Sequence, residues 1–339
     1  MTFESEILRA TRTLAPREAL RVADQPKSQR NLSGDTSDRK GEDPAGFVAV
    51  SQRLPTLDCT KAARVTARAL LAREFESVRA GIKSALNENS PLAERLGGVH
   101  LARRGLKRLQ ALRALLQPGF PRGRSSARIG IRRAKESLAE ARQRDALGLL
   151  LEELCALRGA PLTSDSSGTL NQSRGAPSSK SMQEALDSVT LAERSMRLCS
   201  GAPLDWHEVV EQFAMTWRRG RLLARRAWLG LGESDLHEMR KRFQRIADQM
   251  AALQGCIDDD RFVARKRLRI ATDNLGRARD LALLADKIEG TTAEGRALAR
   301  RALALRTRAV RSARDQSRLA LRATSLQMST MMNQRIQRR

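Results

Sequence analysis

His100 and His237 each head the same ladder of cations. The first copy reads Val99-His100-Leu101-Ala102-Arg103-Arg104-Gly105-Leu106-Lys107-Arg108-Leu109. The second, 137 residues later, reads Leu236-His237-Glu238-Met239-Arg240-Lys241-Arg242-Phe243-Gln244-Arg245-Ile246. The chain has three histidines, and two fall at the same point of this pattern. Cations repeating along a helix stand about 5.4 Å apart per turn, a spacing that tracks a polymer of phosphates. Arginine adds a planar fork of donors that grips phosphate oxygens in pairs. A histidine with an ordinary pKa of about 6.5 donates to phosphate and gains charge beside it. The same imidazole has the chemistry of a phospho-acceptor or a metal ligand. Neither copy has a cysteine or carboxylate placed to complete a metal site, because Glu238 and His237, as helix neighbours, point apart; no metal is expected.

These residues need helices to position them. At about 100° per residue, Val99, Ala102, Leu106, Leu109 and Leu116 share one side, and Leu236, Met239, Phe243, Ile246 and Leu253 take the same places in the second copy. His100, Arg103, Arg104 and Lys107 lie roughly opposite, as do His237, Arg240 and Lys241. Gln244 replaces Lys107, so the second stripe is short of one cation. A charge run on a helix is ordinarily a solvated face. Here Arg103, Arg104, Lys107 and Arg108 lack acidic neighbours one turn away and repel one another. The arrangement also occurs twice, and a third basic run, Arg218-Arg219-Gly220-Arg221 with Arg225 and Arg226, precedes the second copy.

Composition points the same way. Lys and Arg total 63 against 38 Asp and Glu, a net charge of +25. Such an imbalance attracts polyanions: nucleic acid, an anionic surface or a phosphate polymer. Hydrophobic residues make up 41%, enough for a core, and the abundance of Ala, Leu and Arg favours helix. Cys59, Cys155, Cys199 and Cys256 have neither metal nor redox spacing and read as buried thiols. No signal peptide or long apolar run is evident, so a cytoplasmic protein without membrane insertion is expected.

Read in order, residues 1–58 form a polar, weakly ordered tail. Helical periodicity then covers 60–87, 91–117 and 125–158, and a Ser/Gly/Pro-rich loop spans 159–181. Further helices follow at 182–199, 205–230, 234–254, 260–289 and 292 to about 324, with a frayed C-terminus over 326–339. Ser234 reads as the cap of the sixth. The eight helices fall into two halves, 59–203 and 204–325. An offset of 137 pairs His100 with His237, Arg103 with Arg240, Arg108 with Arg245 and Gln117 with Gln254. An offset of 135 pairs Arg142-Gln143-Arg144-Asp145 with Arg277-Ala278-Arg279-Asp280. Matched segments in the same order indicate an internal repeat. The Arg144-Asp145 and Arg279-Asp280 pairs read as half-buried ion pairs that fix helix register. His207, which has no counterpart, reads as a surface or capping residue.

The twofold His-x-x-Arg with its basic helix resembles the CHAD family, the conserved histidine α-helical domain. Leu275-Gly276-x-x-Arg279-Asp280-Leu281-x-x-Leu284 and Trp217-Arg218-Arg219-Gly220-Arg221 carry the same resemblance, which covers roughly residues 60–325. It implies an all-α fold of two four-helix bundles related by pseudo-two-fold symmetry. It also implies a shared basic surface that binds inorganic polyphosphate through His100, Arg103, Arg104, Lys107 and Arg108, then His237, Arg240, Lys241 and Arg245, with Arg218, Arg219 and Arg221 in support. Members occur with polyphosphate granules or fused to a triphosphatase-type domain, but residues 1–60 hold no Glu-x-Glu-x-Lys strand. Leu101, Gln110, Gln244, Ala247 and Asp248 depart from the family pattern and thin the basic face.

The leading expectation is therefore a non-catalytic polyphosphate-binding module without a cofactor, associated with granules. The alternative is a non-specific, nucleoid-type nucleic-acid binder. Scarce aromatics argue against base stacking, and no helix-turn-helix spacing supports sequence reading. A phosphate-metabolising enzyme with a histidine phospho-acceptor ranks third. Its only acidic cluster, Asp258-Asp259-Asp260, suits a helix start better than Mg²⁺.

Overall fold

The computed structural model describes residues 56–119, 124–139, 150, 178–198, 204–227, 233–257, 260–288 and 293–338. Among these there are nine α-helices and no strand. They are α1 (Ala63–Leu86), α2 (Leu92–Leu115), α3 (Arg124–Ser137), α4 (Ser179–Leu198), α5 (Trp206–Ala227), α6 (Glu233–Ala252), α7 (Asp260–Ile288), α8 (Ala293–Ala320) and α9 (Ser325–Gln337).

The apolar stripes dictate the packing. Val99, Ala102, Leu106, Leu109 and Leu116 of the first copy are buried, as are Met239, Phe243, Ile246 and Leu253 of the second, with Leu236 partly buried. In the first half α1 packs on α2 and α4, and α3 packs on α2 and α4, closing a ring of four. In the second half α6 packs between α5 and α7, and α7 against α8. The helices that carry His100 and His237, α2 and α6, pack on each other and form the seam between the halves. Each ends in a 3₁₀ turn, Gln117–Gly119 and Gln254–Cys256, at the offset of 137 that aligns the histidines. Gln249 of α6 donates its side-chain amide to the Ala111 carbonyl of α2 at 3.1 Å, a polar tie across a buried contact.

Small residues set how closely the first pair can approach. A Cβ on Gly81 of α1 would lie 2.8 Å from the Ala102 nitrogen and 2.9 Å from the Gly98 oxygen of α2. One on Gly98 would lie 2.6 Å from the Gly81 oxygen, so the crossing is backbone against backbone. A capping box opens α5: the Asp205 carboxylate accepts from the Glu208 amide at 2.7 Å and the Glu208 carboxylate from the Asp205 amide at 3.2 Å.

Several expectations need correction. The expected frayed C-terminus, 326–339, is instead helical as far as Gln337. Thr324 and Gln327 form a second capping box, and Met328 and Met332 are buried where α9 lies on α5. The expected helix over 125–158 is described as α3 over Arg124–Ser137, its later part lying largely outside the described residues, and the last residues of the expected loop 159–181 already belong to α4, which starts at Ser179. Helix α6 begins at Glu233, so Ser234 lies within it. Residues 1–55 and 151–177, with Arg142–Asp145, Cys155 and Cys199, lie outside the described residues. Within the expected tail, Leu57 is 1% exposed and its amide donates to the Ala252 carbonyl at 2.7 Å, so this residue belongs to the core despite the polar composition around it. Cys59 and Cys256 are buried thiols.

Candidate functional site

The cation ladders emerge on both sides of the α2–α6 seam. Arg103 of α2 donates from its guanidinium to the Lys135 carbonyl of α3 at 2.9 Å, and the Lys135 ammonium donates to the Gln110 side chain at 2.9 Å. Lys135 is largely enclosed. Burial, then the charges of Arg103, Lys241 and Arg245, hold its ammonium below the usual lysine range. Those same charges place Lys241 and Arg245 of α6 within electrostatic reach of α3. Arg245 is also lowered, first by burial and then by Arg242 and Arg113, with Arg219 of α5 contributing. Cations from α2, α3, α5 and α6 thus converge, and each makes its neighbours' charge costlier. An anion placed among them relieves every one of these repulsions.

A second part of the surface surrounds His237. Ser234, Leu236, His237 and Arg240 of α6, Leu275, Ala278 and Arg279 of α7, and Arg306 of α8 line a cavity of about 250 Å³. An Arg279 guanidinium nitrogen lies 3.3 Å from His237 Nδ1. Burial, then Lys241, Arg279 and Arg240, push the imidazole pKa below its ordinary value. Gly276 explains how Arg240 reaches this place. A Cβ there would stand 2.6 Å from an Arg240 guanidinium nitrogen, so the bare glycine lets that side chain lie flat on α7.

Positions 104 and 241, equivalent at the offset of 137, behave reciprocally. Lys241 acts on Lys135 of α3, the third helix of the other half, while Arg104 is lowered by Arg269 of α7, the third helix of its opposite half. Arg104 reaches the surface, yet burial of its stem, then Arg269 and Arg108, hold its pKa below the usual arginine value. The two sides differ beneath. Buried Glu74 accepts from Arg108 at 2.8 Å, and burial outweighs that arginine in raising the carboxyl pKa. Buried Asp248, also raised by burial, accepts from the Gln244 amide at 3.0 and 2.9 Å and lies 3.6 Å from Arg269. Two carboxylates therefore offset the charge under Arg104, Arg108 and Arg269. Under Lys135 and Arg245 the acidic residues that exert a raising influence are Glu136 and Glu238, both exposed. On the Arg103, Lys135, Lys241 and Arg245 side the counter-charge is thus at the surface, where Glu238 stands 3.9 Å from Lys241 and 3.2 Å from Arg242.

The sequence-predicted residues divide accordingly. Arg103, Lys241, Arg245 and Arg219 come together around Lys135, and His237 and Arg240 line the adjoining cavity. His100 is exposed on α2, Lys107 is half-buried, and Arg218 is exposed on α5. Arg108 is turned inward to Glu74. Arg221 faces a different groove, between α5 and α8, beside Arg225. Arg279, expected to be half-buried in a register-fixing pair with Asp280, is exposed and flanks His237. His207 is exposed with its Nε2 3.3 Å from Glu211. Gln244 anchors Asp248 rather than leaving a gap in the ladder. Lys135 was invisible to the motif because it sits on another helix; the signal that existed was an isolated lysine on an otherwise Arg-rich α3.

Among the described residues no group of three or more His, Cys, Asp or Glu is arranged to hold a metal, and no helix is long and apolar enough to cross a membrane. The sequence model of the family described as the CHAD domain matches residues 84–289, from the end of α1 through α7. The crystal structure of the CHAD domain from the plant Ricinus communis is similar to this chain with a TM-score of 0.58 and 18% identity, over 80% of this chain and 95% of that one. At that identity the likeness speaks for the fold. No curated protein matches. With the paired histidine helices at the seam and the family match spanning more than half its length, this chain belongs to the CHAD domain family.

Proposed function

We propose that this protein is a non-catalytic binder of inorganic polyphosphate, a cytoplasmic protein that associates with polyphosphate granules. The observation that carries the reading is the convergence of Arg103, Lys135, Lys241 and Arg245 from three helices, adjoining His237, Arg240 and Arg279. A linear chain with a charge on every repeat suits a surface on which cations from several helices recur close together. Duplex DNA is the competing polyanion. The low content of Trp and Phe, and the absence of Tyr, leave little for stacking on bases.

The test is competition between long-chain polyphosphate, duplex DNA and RNA at matched phosphate concentration and two salt concentrations. Polyphosphate should win at both. DNA binding as tightly at equal charge would overturn the reading. The quadruple variant R103A/R104A/R240A/K241A should lose polyphosphate affinity by about a hundredfold or more, since each cation removed forfeits its share of counterion release. Its helix content by circular dichroism should match wild type. Turnover of polyphosphate or a nucleoside triphosphate by purified protein would overturn the non-catalytic assignment.

A further inference from the structure

Helix α8 carries a row of arginines that the central surface does not use. Arg296, Arg300, Arg311, Arg314 and Arg318 are all exposed on one face, in two groups at helical spacing separated by an interval where that face carries Leu303 and Thr307. At about 100° per residue they fall within roughly 60° of one another, opposite Ala302, Ala309 and Ala313, which are buried. The row runs over residues 296 to 318, about 33 Å at the rise of an α-helix. At its C-terminal end the row opens into a groove of about 440 Å³ between α5 and α8, where Arg221, Arg225, Arg318 and Arg322 stand with Asp315. Arg221 is held below the usual arginine value by burial and then by Arg225. This groove lies on the flank of α8 away from Arg306, which lines the His237 cavity, so α8 separates two basic features.

A solvated helix face needs no concave end with four arginines drawn from α5, from α8 and from the turn after α8. Neither an aromatic side chain nor a basic hairpin accompanies the row, so it is built for a phosphate backbone rather than for bases. We propose that the α8 row and its groove form a second track for linear polyphosphate, separate from the central surface, so that one protein molecule holds two polymer strands and crosslinks them. The crosslinking half of this proposal rests on the central reading above; the track itself does not.

Titration calorimetry on the full chain with short polyphosphate, too short to span both features, counts sites. Sedimentation with long polyphosphate reports crosslinking. Wild type should bind two short chains and pellet long polymer. The α8 variant R296Q/R300Q/R311Q/R314Q/R318Q should bind one, with affinity at the central site unchanged, and pellet none. The quadruple central variant should also bind one, now on α8. An α8 variant that still binds two chains or still pellets polymer overturns the proposal. If wild type binds a single chain, crosslinking fails, and the variant that loses that chain identifies which site is real: loss in the α8 variant overturns the central reading, loss in the central variant overturns the α8 track. Short duplex DNA displacing polyphosphate from the central variant at lower phosphate concentration overturns the ligand class. Glutamine keeps helix propensity, and unchanged circular dichroism excludes unfolding as the cause.

Discussion

His237 has three cations around it, Lys241, Arg279 and Arg240, and a partly desolvated ring, and its pKa lies below the ordinary value of about 6.5 as a result. As pH falls through that region the unfolded chain takes up the proton before the folded one, and the ligand-free fold loses stability. A bound polyanion reverses the imbalance by raising the ring's pKa, so binding takes up a proton. Affinity for long-chain polyphosphate should therefore rise, by about threefold, as pH falls from about 7.5 to about 6. His237→Gln should flatten that rise. A wild-type affinity that is flat or falls over the range would remove His237 from the contact. Gly276 permits a separate test. Alanine there collides with the end of the Arg240 side chain, not with backbone, so the guanidinium must move while the helix stays. Gly276→Ala should leave the melting temperature unchanged or raise it, since alanine is the better helix former by up to about 1 kcal/mol, while affinity falls several-fold. Equal loss of both would show that the glycine serves packing alone. At this scale the sequence was a partial guide. His237, Arg240, Lys241 and Arg103 were legible because a periodic motif places them. Lys135, Arg279 and the diversion of Arg108 to Glu74 were not, because each depends on what a neighbouring helix brings.

Helix positions were legible for a different reason: apolar periodicity is a local signal, whereas the Asp205–Glu208 capping box emerged only from the structure. The element that escaped, α9, is short and polar, and buries Met328 and Met332 against α5, a tertiary contact that a local signal does not carry. The α1–α2 crossing was also hidden, since isolated glycines in a helical pattern read as neutral or unfavourable. Gly81 and Gly98 are there because the two backbones meet. Gly81→Ala would push a methyl group into the α2 backbone, and the helices must separate to admit it. The expected cost is about 1–3 kcal/mol in urea unfolding, the range for overpacking a close contact. An unfolding midpoint equal to wild type would mean that the crossing adjusts freely and that the close approach carries no stability. Because this contact holds α2 in place, the variant tests the frame of the site apart from its cations.

At the scale of the whole molecule, net charge and local geometry make different predictions. A charge of +25 attracts any polyanion from any direction, whereas a site counts only the cations that touch it. Salt dependence separates the two, because each cation that neutralises a phosphate on a single-stranded polymer adds about 0.7 to the slope of log affinity against log salt. Arg103, Lys135, Lys241, Arg245, Arg240 and Arg279 together predict a slope of about −4 for short polyphosphate at the central surface. The measurement belongs in the α8 variant, where a single site reports. There Arg103→Gln should reduce the slope by about 0.7 and weaken binding. Lys61→Gln removes the same unit of net charge from an exposed residue that faces Asp58 at 3.4 Å, far from the seam in sequence and outside the site. It should change neither slope nor affinity. If both substitutions act equally, the protein attracts polyphosphate by its overall charge and the convergence at α2, α3 and α6 has no special part in binding. If only Arg103→Gln acts, the seam between the two halves is where the polymer sits, and the internal repeat has built one surface from two copies of a helix.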